Sequence, residues 1–284
     1  MPRMLREALK QLLDQDELEE VCSAFDTIGG IIIIKIPESL NQKKRLIAEV
    51  LLQKVNNIYS VFCQTSGVQG DYRLRNLEFL AGINSPITYY KENGCTFKID
   101  VANAYFSPRL STERMRIANL VNDNEVIVNL FGGVGTYSVL IARGNKTTKV
   151  YSIDSNIFAH ELCIENSRIN KVNDRVISLF GDAKVVVNNQ LKEKATRVLM
   201  PLPEKAREFV EEAVSSLING EGTVHFFAHV KADSKKDAIG KGAVETNDAF
   251  KRYKISIDGV RVVREVGPRL YQIVSDVRVI SSMK

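Results

Sequence analysis

The sequence has few cysteines and no long apolar stretch. Its four cysteines, Cys22, Cys63, Cys95 and Cys163, lie far apart and include no C-x-x-C pair. This spacing argues against a zinc ribbon and a dense disulfide framework, so we expect buried thiols in a reducing compartment and no bound metal. The chain also lacks a run of 18 apolar residues and an N-terminal segment typical of a secretion signal. We therefore expect a soluble, cytoplasmic protein.

Length and charge give two further expectations. At 284 residues, with 44% hydrophobic and 26% charged residues, the chain is long enough for two domains that each bury a core. Lysine and arginine outnumber aspartate and glutamate by 39 to 34, which gives a net charge of +5. Such a balance suits a polyanionic partner, although many ordinary enzymes are equally basic.

The first hundred residues predict a small α/β unit. Leucines at helical spacing, β-branched runs and an Asn93-Gly94 pair between two alternating segments are the signals. We assign residues 1–103 to this unit. The predicted elements are helices over residues 4–20 and 41–55, strands over 31–36 and 61–65, and a hairpin over 87–101.

From about residue 111 the pattern changes to alternating strands and helices, which is typical of a mainly parallel, doubly wound sheet. The last two strands are predicted to pair antiparallel. The polar stretch 231–248 is the expected loose region, with some helix. We assign residues 104–284 to this second domain. The seven predicted strands cover residues 125–131, 149–154, 176–181, 197–202, 223–230, 261–267 and 269–279.

A glycine-rich turn follows the first strand of this sheet. Gly132-Gly133-Val134-Gly135 connects that strand to an apolar helical stretch. Glycine lets a backbone approach a ligand closely, and ligands of open parallel sheets lie at the carboxyl ends of the strands. On its own, the turn is equally compatible with a purely structural role.

Acidic residues end the next two strands. Asp154 lies about twenty residues after the glycines, where a carboxylate can accept hydrogen bonds from the ribose of a nucleoside or dinucleotide. Asp182 ends the third strand, where methyltransferases commonly hold an adenine amino group, although an aspartate there can also cap a helix or turn. The dinucleotide pattern G-x-G-x-x-G is absent. The combination favours a methyltransferase.

Five motifs together carry a family resemblance. They are GDYRLRNLEFLAG, KENGCTFKIDVANAYFSPRLSTER, VNLFGGVGTYSVLIA, SIDSN and RVLMPLP. From about residue 24 to 284, the chain resembles the archaeal and eukaryotic tRNA (guanine-37-N1)-methyltransferases and their wyosine-pathway relatives. The resemblance implies a small α/β domain and a class I, Rossmann-like methyltransferase domain with a seven-stranded sheet. It also implies S-adenosyl-L-methionine as cofactor and the anticodon loop of tRNA as partner.

The resemblance also implies catalytic roles. Arg73 of GDYRLR falls on the family's active-site arginine, and Glu113 of PRLSTER falls on its proposed general base. A purine N1 or ring carbon is a poor nucleophile until its proton is taken, and an arginine near the base oxygen can stabilise the developing charge. Spacing alone also allows Arg73 to be a surface cation and Glu113 to pair with Arg109 or Arg116 along a helix.

The resemblance further implies a set of cofactor contacts. Tyr105 falls where the family places an aromatic residue beside the cofactor and the target base, although it can equally be a core aromatic. The other positions implied to contact the cofactor are Phe131, Gly132, Gly133, Gly135, Asp154, Asn156 and Asp182.

Departures from the family pattern bear on the substrate. Pro201 stands where the N1-methylating members have asparagine, so the amide that would bond the guanine edge is missing. A larger tricyclic base can rely more on stacking and shape, which favours the archaeal branch that methylates carbon 7 of 4-demethylwyosine; guanine N1 is the alternative acceptor. Asn129 replaces the usual aspartate and weakens one polar contact near the glycine turn. We expect the N-terminal tRNA-elbow domain of longer relatives to be absent.

Arginines supply the expected RNA contacts. Arg264 and Arg269 lie in VREVGPR, which aligns with a family loop near the RNA, and Arg269 is the preferred phosphate contact. Arg109 and Pro201 are expected at the substrate. Basic runs that can equally be solvated faces lie at residues 41–45, 234–236 and 251–254.

Two other functions remain open. Aminocarboxypropyltransferases of the same pathway use the same cofactor, but they carry F-S-P-A-N and M-G-Y where this chain has FSPRL at 106–110 and MPL at 200–202. A non-catalytic tRNA-binding protein with a degenerate cofactor pocket is suggested by Asn129 and Pro201. We expect a methyltransferase that acts as a monomer.

Overall fold

Each half of the chain is built around one β-sheet. In a computed structural model, the described residues are 7–10, 12–21, 25–67, 70 and 72–282. The chain divides into two compact units, Met1–Arg109 and Leu110–Lys284. The division predicted after residue 103 lies a few residues earlier. Within the described ranges, every helix is too short or too polar to span a bilayer.

The N-terminal unit contains a four-stranded mixed sheet and a separate hairpin. The strand order is β1-β2-β3-β4, in which only β2 and β3 pair in parallel. Strands β5 and β6 form the hairpin. The elements are α1 (Gln15–Glu20), β1 (Phe25–Ile28), β2 (Ile31–Ile34), a 3-10 helix (Glu38–Lys43), α2 (Lys44–Lys54), β3 (Ser60–Gln64), β4 (Leu77–Gly82), β5 (Ile87–Glu92) and β6 (Cys95–Asp100).

Local sequence explains most of these elements. All four isoleucines of β2 are buried, and Ile32 and Ile34 pack in one apolar cluster with Ile47 of α2. The turn between β5 and β6 places Asn93 and Gly94 at φ of 47° and 74°, the left-handed region that an Asn-Gly hairpin turn requires. The predicted strands and hairpin of this unit are therefore confirmed.

The predicted helix over residues 4–20 is wrong in its continuity. Asp14 begins a new helix, because its Oδ1 accepts a hydrogen bond from Glu17 N at 2.9 Å. The Glu17 carboxylate in turn accepts one from Asp14 N, which completes a capping box. Residues 7–9 are also helical, and the start of the predicted helix lies outside the described residues.

The C-terminal unit is a doubly wound sheet, as expected for a class I methyltransferase. Its strand order is β12-β13-β11-β10-β7-β8-β9; β13 runs antiparallel to both of its neighbours, and the other pairs are parallel. The strands are β7 (Val126–Asn129), β8 (Lys149–Asp154), β9 (Val176–Phe180), β10 (Arg197–Met200), β11 (Gly222–Lys231), β12 (Tyr253–Gly267) and β13 (Leu270–Ser282). All seven predicted strands are confirmed.

Helices cover both faces of this sheet, which is why its central strands β7 and β10 are almost entirely buried. The helices are α3 (Ser111–Asn119), α4 (Thr136–Gly144), α5 (Ile157–Ile169), α6 (Ala183–Val186), α7 (Val210–Ser216) and α8 (Lys235–Ala249). A π-helical segment, Val187–Leu191, continues α6, and 3-10 helices occupy Pro108–Leu110, Ala206–Phe209 and Ile218–Gly220.

The expectation of a loose region over 231–248 is wrong, because most of it forms helix α8. Ser234 caps this helix by accepting a hydrogen bond from Asp237 N at 3.2 Å. The buried stripe consists of Ala238, Gly242 and Thr246, and it faces the sheet. Small and polar residues give this stripe little apolar periodicity, so the sequence pattern does not reveal the helix.

Cys63, Cys95 and Cys163 are buried thiols, and none of them forms a disulfide within the described part of the chain. Cys22 lies outside the described residues.

Candidate active site

Hydrogen bonds tie the glycine turn to the neighbouring strand. Strands β7 and β8 are parallel neighbours, so their carboxyl ends lie side by side. Gly132 N donates to the carbonyl of Ile153 at 2.7 Å, and Gly133 N donates to Oδ2 of Asp154 at 2.7 Å. The turn and the acidic residue that the sequence predicted together are therefore in direct contact.

Steric limits explain why three positions of this turn are glycine. A Cβ on Gly132 would stand 2.2 Å from Oγ of Ser152, and one on Gly135 would stand 2.7 Å from Sγ of Cys163. Gly133 differs, because a Cβ there would meet nothing within 4 Å, while its φ of 54° favours glycine. The backbone at Gly133 thus faces open space, as a turn that receives a ligand must.

Asp154 and Asn156 organise the end of β8. Oδ1 of Asp154 accepts a hydrogen bond from Asn156 N at 2.9 Å, in addition to the bond from Gly133. Burial raises the pKa of Asp154, and these two amides oppose the shift. The Asn156 side chain caps helix α5 by accepting from Phe158 N at 3.0 Å. Asn156 therefore fixes the loop beside Asp154.

Asp182 takes one of the two roles that the sequence allowed for it, a helix cap. It follows β9, the strand next to β8, and Gly181 N donates to the Asp154 carbonyl at 3.0 Å. Its Oδ1 caps helix α6 through the amides of Lys184 and Val185, at 2.8 and 3.3 Å. The carboxylate is exposed and stands at the same sheet edge as Asp154.

Exposed apolar side chains surround these strand ends, and sequence reasoning missed them. Phe180, which ends β9, is 53% exposed, and Val185 of α6 is 58% exposed. Phe158 at the start of α5 is exposed as well, and the His160 and Phe180 rings lie 5.8 Å apart. Their positions directly beside Asn156 and Asp182 in sequence were the available signal. Apolar surface of this kind suits a flat purine ring.

Phe131 and Asn129 shape the entrance to the glycine turn. The Phe131 ring packs edge-on against Phe209, with centroids 5.0 Å apart. Asn129 is fully buried; its Oδ1 accepts from Phe131 N at 3.3 Å, and its Nδ2 donates to Oγ of Ser138 at 3.4 Å. The Asn129 side chain therefore both accepts and donates a hydrogen bond here, so the start of the glycine turn is held although the usual aspartate is absent.

Glu113 is a buried carboxylate in the first turn of helix α3, which packs along α4. Arg116 donates to it from Nε and Nη2, and the shortest of these bonds is 2.7 Å. Nε of Arg261 lies 3.8 Å from the same carboxylate. Glu113 therefore pairs with Arg116, as their spacing along the helix allowed. Arg109 pairs with Asp26 and not with Glu113.

The N-terminal unit holds Arg73, Tyr105 and Arg109. The Arg73 guanidinium lies over the Tyr105 ring, 4.2 Å from its centroid, and both residues line a small surface pocket. Arg73 adopts a φ of 55° in the turn before β4. Arg109, 60% exposed, donates to Asp26 at 2.7 Å, and Asp26 also pairs with Arg75 at 3.3 Å.

The remaining predicted residues lie on the sheet of the C-terminal unit. Pro201 directly follows β10, at the same edge as Asp154, and is half-buried. Nε of Arg264 donates to Oε1 of Gln272 at 2.9 Å. Arg269 forms the turn between β12 and β13; its highly exposed side chain pairs with Asp233 at 3.2 Å.

Two family models match the chain. The model described as TRM5/TYW2 methyltransferase domain matches residues 88–255, and the one described as TYW2 N-terminal domain matches residues 5–85.

Known proteins similar to the chain carry related names. It is 37% identical over 259 residues to the tRNA (guanine(37)-N(1))-methyltransferase Trm5b of Pyrococcus abyssi, covering 90% of this chain and 75% of that protein. It is 31% identical over 277 residues to the tRNA 4-demethylwyosine(37)-methyltransferase Taw21 of Saccharolobus solfataricus, covering 96% and 99%. A solved complex of aTrm5 with tRNALeu superposes with a TM-score of 0.83 at 30% identity, over 97% of this chain and 78% of that chain.

Alanine at Gly135 should destabilise the protein more than alanine at Gly133. Both changes place a side chain at positive φ, at a cost of roughly 1–2 kcal/mol. Only Gly135→Ala also forces a Cβ against Cys163, and overpacking of this kind adds roughly 1–3 kcal/mol. Urea denaturation followed by circular dichroism measures both values. Equal losses in the two variants would show that contact with Cys163 does not restrict this position.

Proposed function

The chain belongs to the TRM5/TYW2 methyltransferase family, and we propose that it transfers a methyl group from S-adenosyl-L-methionine to the purine nucleotide at position 37 of tRNA. The observation that carries this proposal is the glycine turn, whose Gly133 amide is bonded to Asp154 at the carboxyl ends of a class I methyltransferase sheet. We retain the expectation that the protein acts as a cytoplasmic monomer and needs no metal.

The residues at the sheet edge fit S-adenosyl-L-methionine. The open backbone at Gly133 gives room for the cofactor chain, and Asp154 can accept further hydrogen bonds from ribose hydroxyls. Phe180 and Phe158 offer apolar faces to the adenine, and Asp182 can accept from its amino group. When bound, the cofactor supplies an electrophilic methyl group on its sulfonium.

The acceptor base needs a proton acceptor and a stabiliser of charge, and we assign these roles to Glu113 and Arg73. The Glu113 carboxylate is held in one orientation by the fork of Arg116, which suits a group that must meet one ring proton. The Arg73 guanidinium is stacked on Tyr105 and can stabilise negative charge on the base oxygen.

The loop after β10 supports carbon 7 of 4-demethylwyosine as the acceptor in preference to guanine N1. Pro201 and Pro203 have no N–H to donate to a base edge. The Leu202 carbonyl is bonded within the loop, since it accepts from Lys205 N and Ala206 N at 3.1 and 2.8 Å. A base that meets this loop gains mainly stacking and shape contacts, which suit a tricyclic purine.

Exposed arginines supply the phosphate contacts in this proposal. Arg269 and Arg109 each extend into solvent and are held by a single carboxylate, Asp233 and Asp26 respectively. Such exposed pairs are weak, so a phosphate can replace the carboxylate at little cost. The similarity to a protein solved with tRNALeu supports tRNA as the partner.

Glu113→Gln should abolish most of the chemistry while leaving cofactor binding intact. The amide keeps the shape of the side chain but cannot take a proton, so single-turnover methylation should fall by a factor on the order of 10² or more. Calorimetry with S-adenosyl-L-methionine should give an affinity close to the wild-type value.

Glu221→Gln is the matched control, because Glu221 is exposed in the turn before β11. It should react at the wild-type rate. Unchanged turnover in Glu113→Gln removes Glu113 from the mechanism, and a wild-type protein that binds no cofactor at millimolar concentration contradicts the proposed activity altogether.

The acceptor atom can be tested with two forms of one tRNA, an unmodified transcript and the same molecule carrying 4-demethylwyosine. We expect faster methylation of the modified form, with a methyl increment in the nucleoside measured by mass spectrometry. Pro201→Asn restores a side-chain amide and should raise activity on the unmodified transcript. Efficient methylation of the transcript alone by the wild type would rule out the carbon 7 preference. A mass increment of an aminocarboxypropyl group would show that the protein transfers this group and not a methyl group.

Arg269→Ala should weaken tRNA binding. The slope of the logarithm of the binding constant against the logarithm of salt concentration should become about one unit less steep, as expected for one lost phosphate contact. Arg278→Ala is the matched control, since Arg278 is also exposed and pairs with Asp258 at 3.1 Å near the other end of β13. Its salt slope should stay at the wild-type value. Filter binding over a range of salt concentrations gives both slopes, and identical slopes for all three proteins would exclude Arg269 from the interface.

A further inference from the structure

The Arg116 side chain that holds Glu113 is itself held by a second carboxylate. Nη1 and Nη2 of Arg116 donate to Asp276 of β13 at 2.6 and 3.0 Å, while Nε and Nη2 face Glu113. Burial would lower the pKa of Arg116, but its bonds to Asp276 and Glu113 outweigh that effect and raise it. The guanidinium is thus a permanent, planar bridge between the two acids.

Asp276 is fixed in turn by a buried histidine. Nδ1 of His225 lies 2.6 Å from Oδ1 of Asp276, and the two residues are direct partners in the ladder between β11 and β13. Nε2 of His225 lies 2.8 Å from Nη1 of Arg197. An arginine only donates, so Nε2 accepts and Nδ1 carries the proton that is donated to Asp276.

The same geometry keeps the His225 ring neutral. The residue is fully buried, and burial lowers its pKa against the opposing effect of Asp276. On the far side of Arg197 from His225, Nε and Nη2 of Arg197 donate hydrogen bonds to the Glu125 carboxylate at 2.6 and 2.8 Å. Burial would raise the pKa of Glu125, but the bonds from Arg197 lower it. The network therefore ends in a fully paired carboxylate.

Arg116 and Arg197 are the less exposed guanidinium groups of this network, and Arg261, which is 52% exposed, adds a looser contact to Glu113 at 3.8 Å. Arg116 divides its hydrogen bonds between Asp276 and Glu113. Asp276 has both oxygens engaged by Arg116 and one also by His225, so it anchors the bridge firmly. Glu113 lies at the other end of the network from Glu125, and it is the carboxylate that the proposed reaction uses.

We propose that Asp276, oriented by His225, is a positioning residue for methyl transfer: it anchors Arg116, and Arg116 directs the Glu113 carboxylate toward the proton of the acceptor base. This inference rests on the proposed role of Glu113. Arg197, His225 and Asp276 belong to strands β10, β11 and β13 of one sheet. The Glu113 side chain on α3 is therefore held, through Arg116, by residues of a rigid sheet.

Asp276→Asn tests the assignment, because the asparagine amide cannot accept both bonds from Arg116. We expect kcat to fall roughly tenfold to a hundredfold, as misplacement of a reacting group does, with KM for tRNA and affinity for the cofactor nearly unchanged. Asp258→Asn, on the adjacent strand, removes a carboxylate from an exposed pair and should leave kcat at the wild-type value.

A double variant separates positioning from a general loss of structure. If Asp276 acts only through Glu113, Asp276→Asn should cause no further loss of kcat when added to Glu113→Gln. Losses that multiply in the double variant would overturn the proposal. Arg116→Lys is the second route if Asp276→Asn does not fold: lysine keeps the charge without the fork, so kcat should fall as it does in Asp276→Asn.

The two possible failures give different results. A large loss in Glu113→Gln together with wild-type kcat in Asp276→Asn and Arg116→Lys rejects the positioning role alone. Wild-type kcat in Glu113→Gln rejects the catalytic assignment of Glu113, and the inference about Asp276 falls with it.

Discussion

The hydrogen bond from Gly133 N to Asp154 is the contact on which the candidate site depends. Parallel pairing of β7 and β8 brings the two residues to one edge, but only a turn that passes through positive φ can aim the amide at the carboxylate. The bond also offsets part of the effect of burial, which raises the pKa of Asp154. One interaction thus shapes the turn and orients an acid whose remaining acceptor capacity is available to a ribose.

The proposed cofactor side and the proposed base side of the reaction are held in place by different kinds of contact. Around Gly133 and Asp154, the contacts are mainly backbone amides and carbonyls, which a sheet fixes without further help. Around Glu113, the contacts are charged side chains, which are costly to bury unless each one is paired. This difference explains why the carboxylate on α3 is tied through Arg116 to strands of the sheet, while Asp154 needs no comparable chain of partners.

Local patterns in the sequence predicted the strands, the hairpin and the glycine turn, because each depends on residues close together in the chain. The extent of helix α8 was not predicted, since its buried stripe of Ala238, Gly242 and Thr246 carries almost no apolar signal. The link between His225 and Asp276 escaped for another reason. These residues are 51 positions apart, and only the pairing register of β11 and β13 makes them neighbours. A polar residue within an apolar strand was the sole trace of that link in the sequence.

Acceptor choice is the property least tied to this shared framework. The turn, the acids and the Glu113 network all serve any purine whose proton must be removed, so they do not distinguish N1 from carbon 7. In our proposal the loop after β10 distinguishes them, because neither Pro201 nor Pro203 has an N–H and the Leu202 carbonyl already accepts hydrogen bonds inside the loop. A guanine edge would gain fewer hydrogen bonds from such a loop, and each polar group left unsatisfied on a desolvated base costs about 1–3 kcal/mol. A tricyclic base presents more surface for stacking, so such a loop would favour it over guanine.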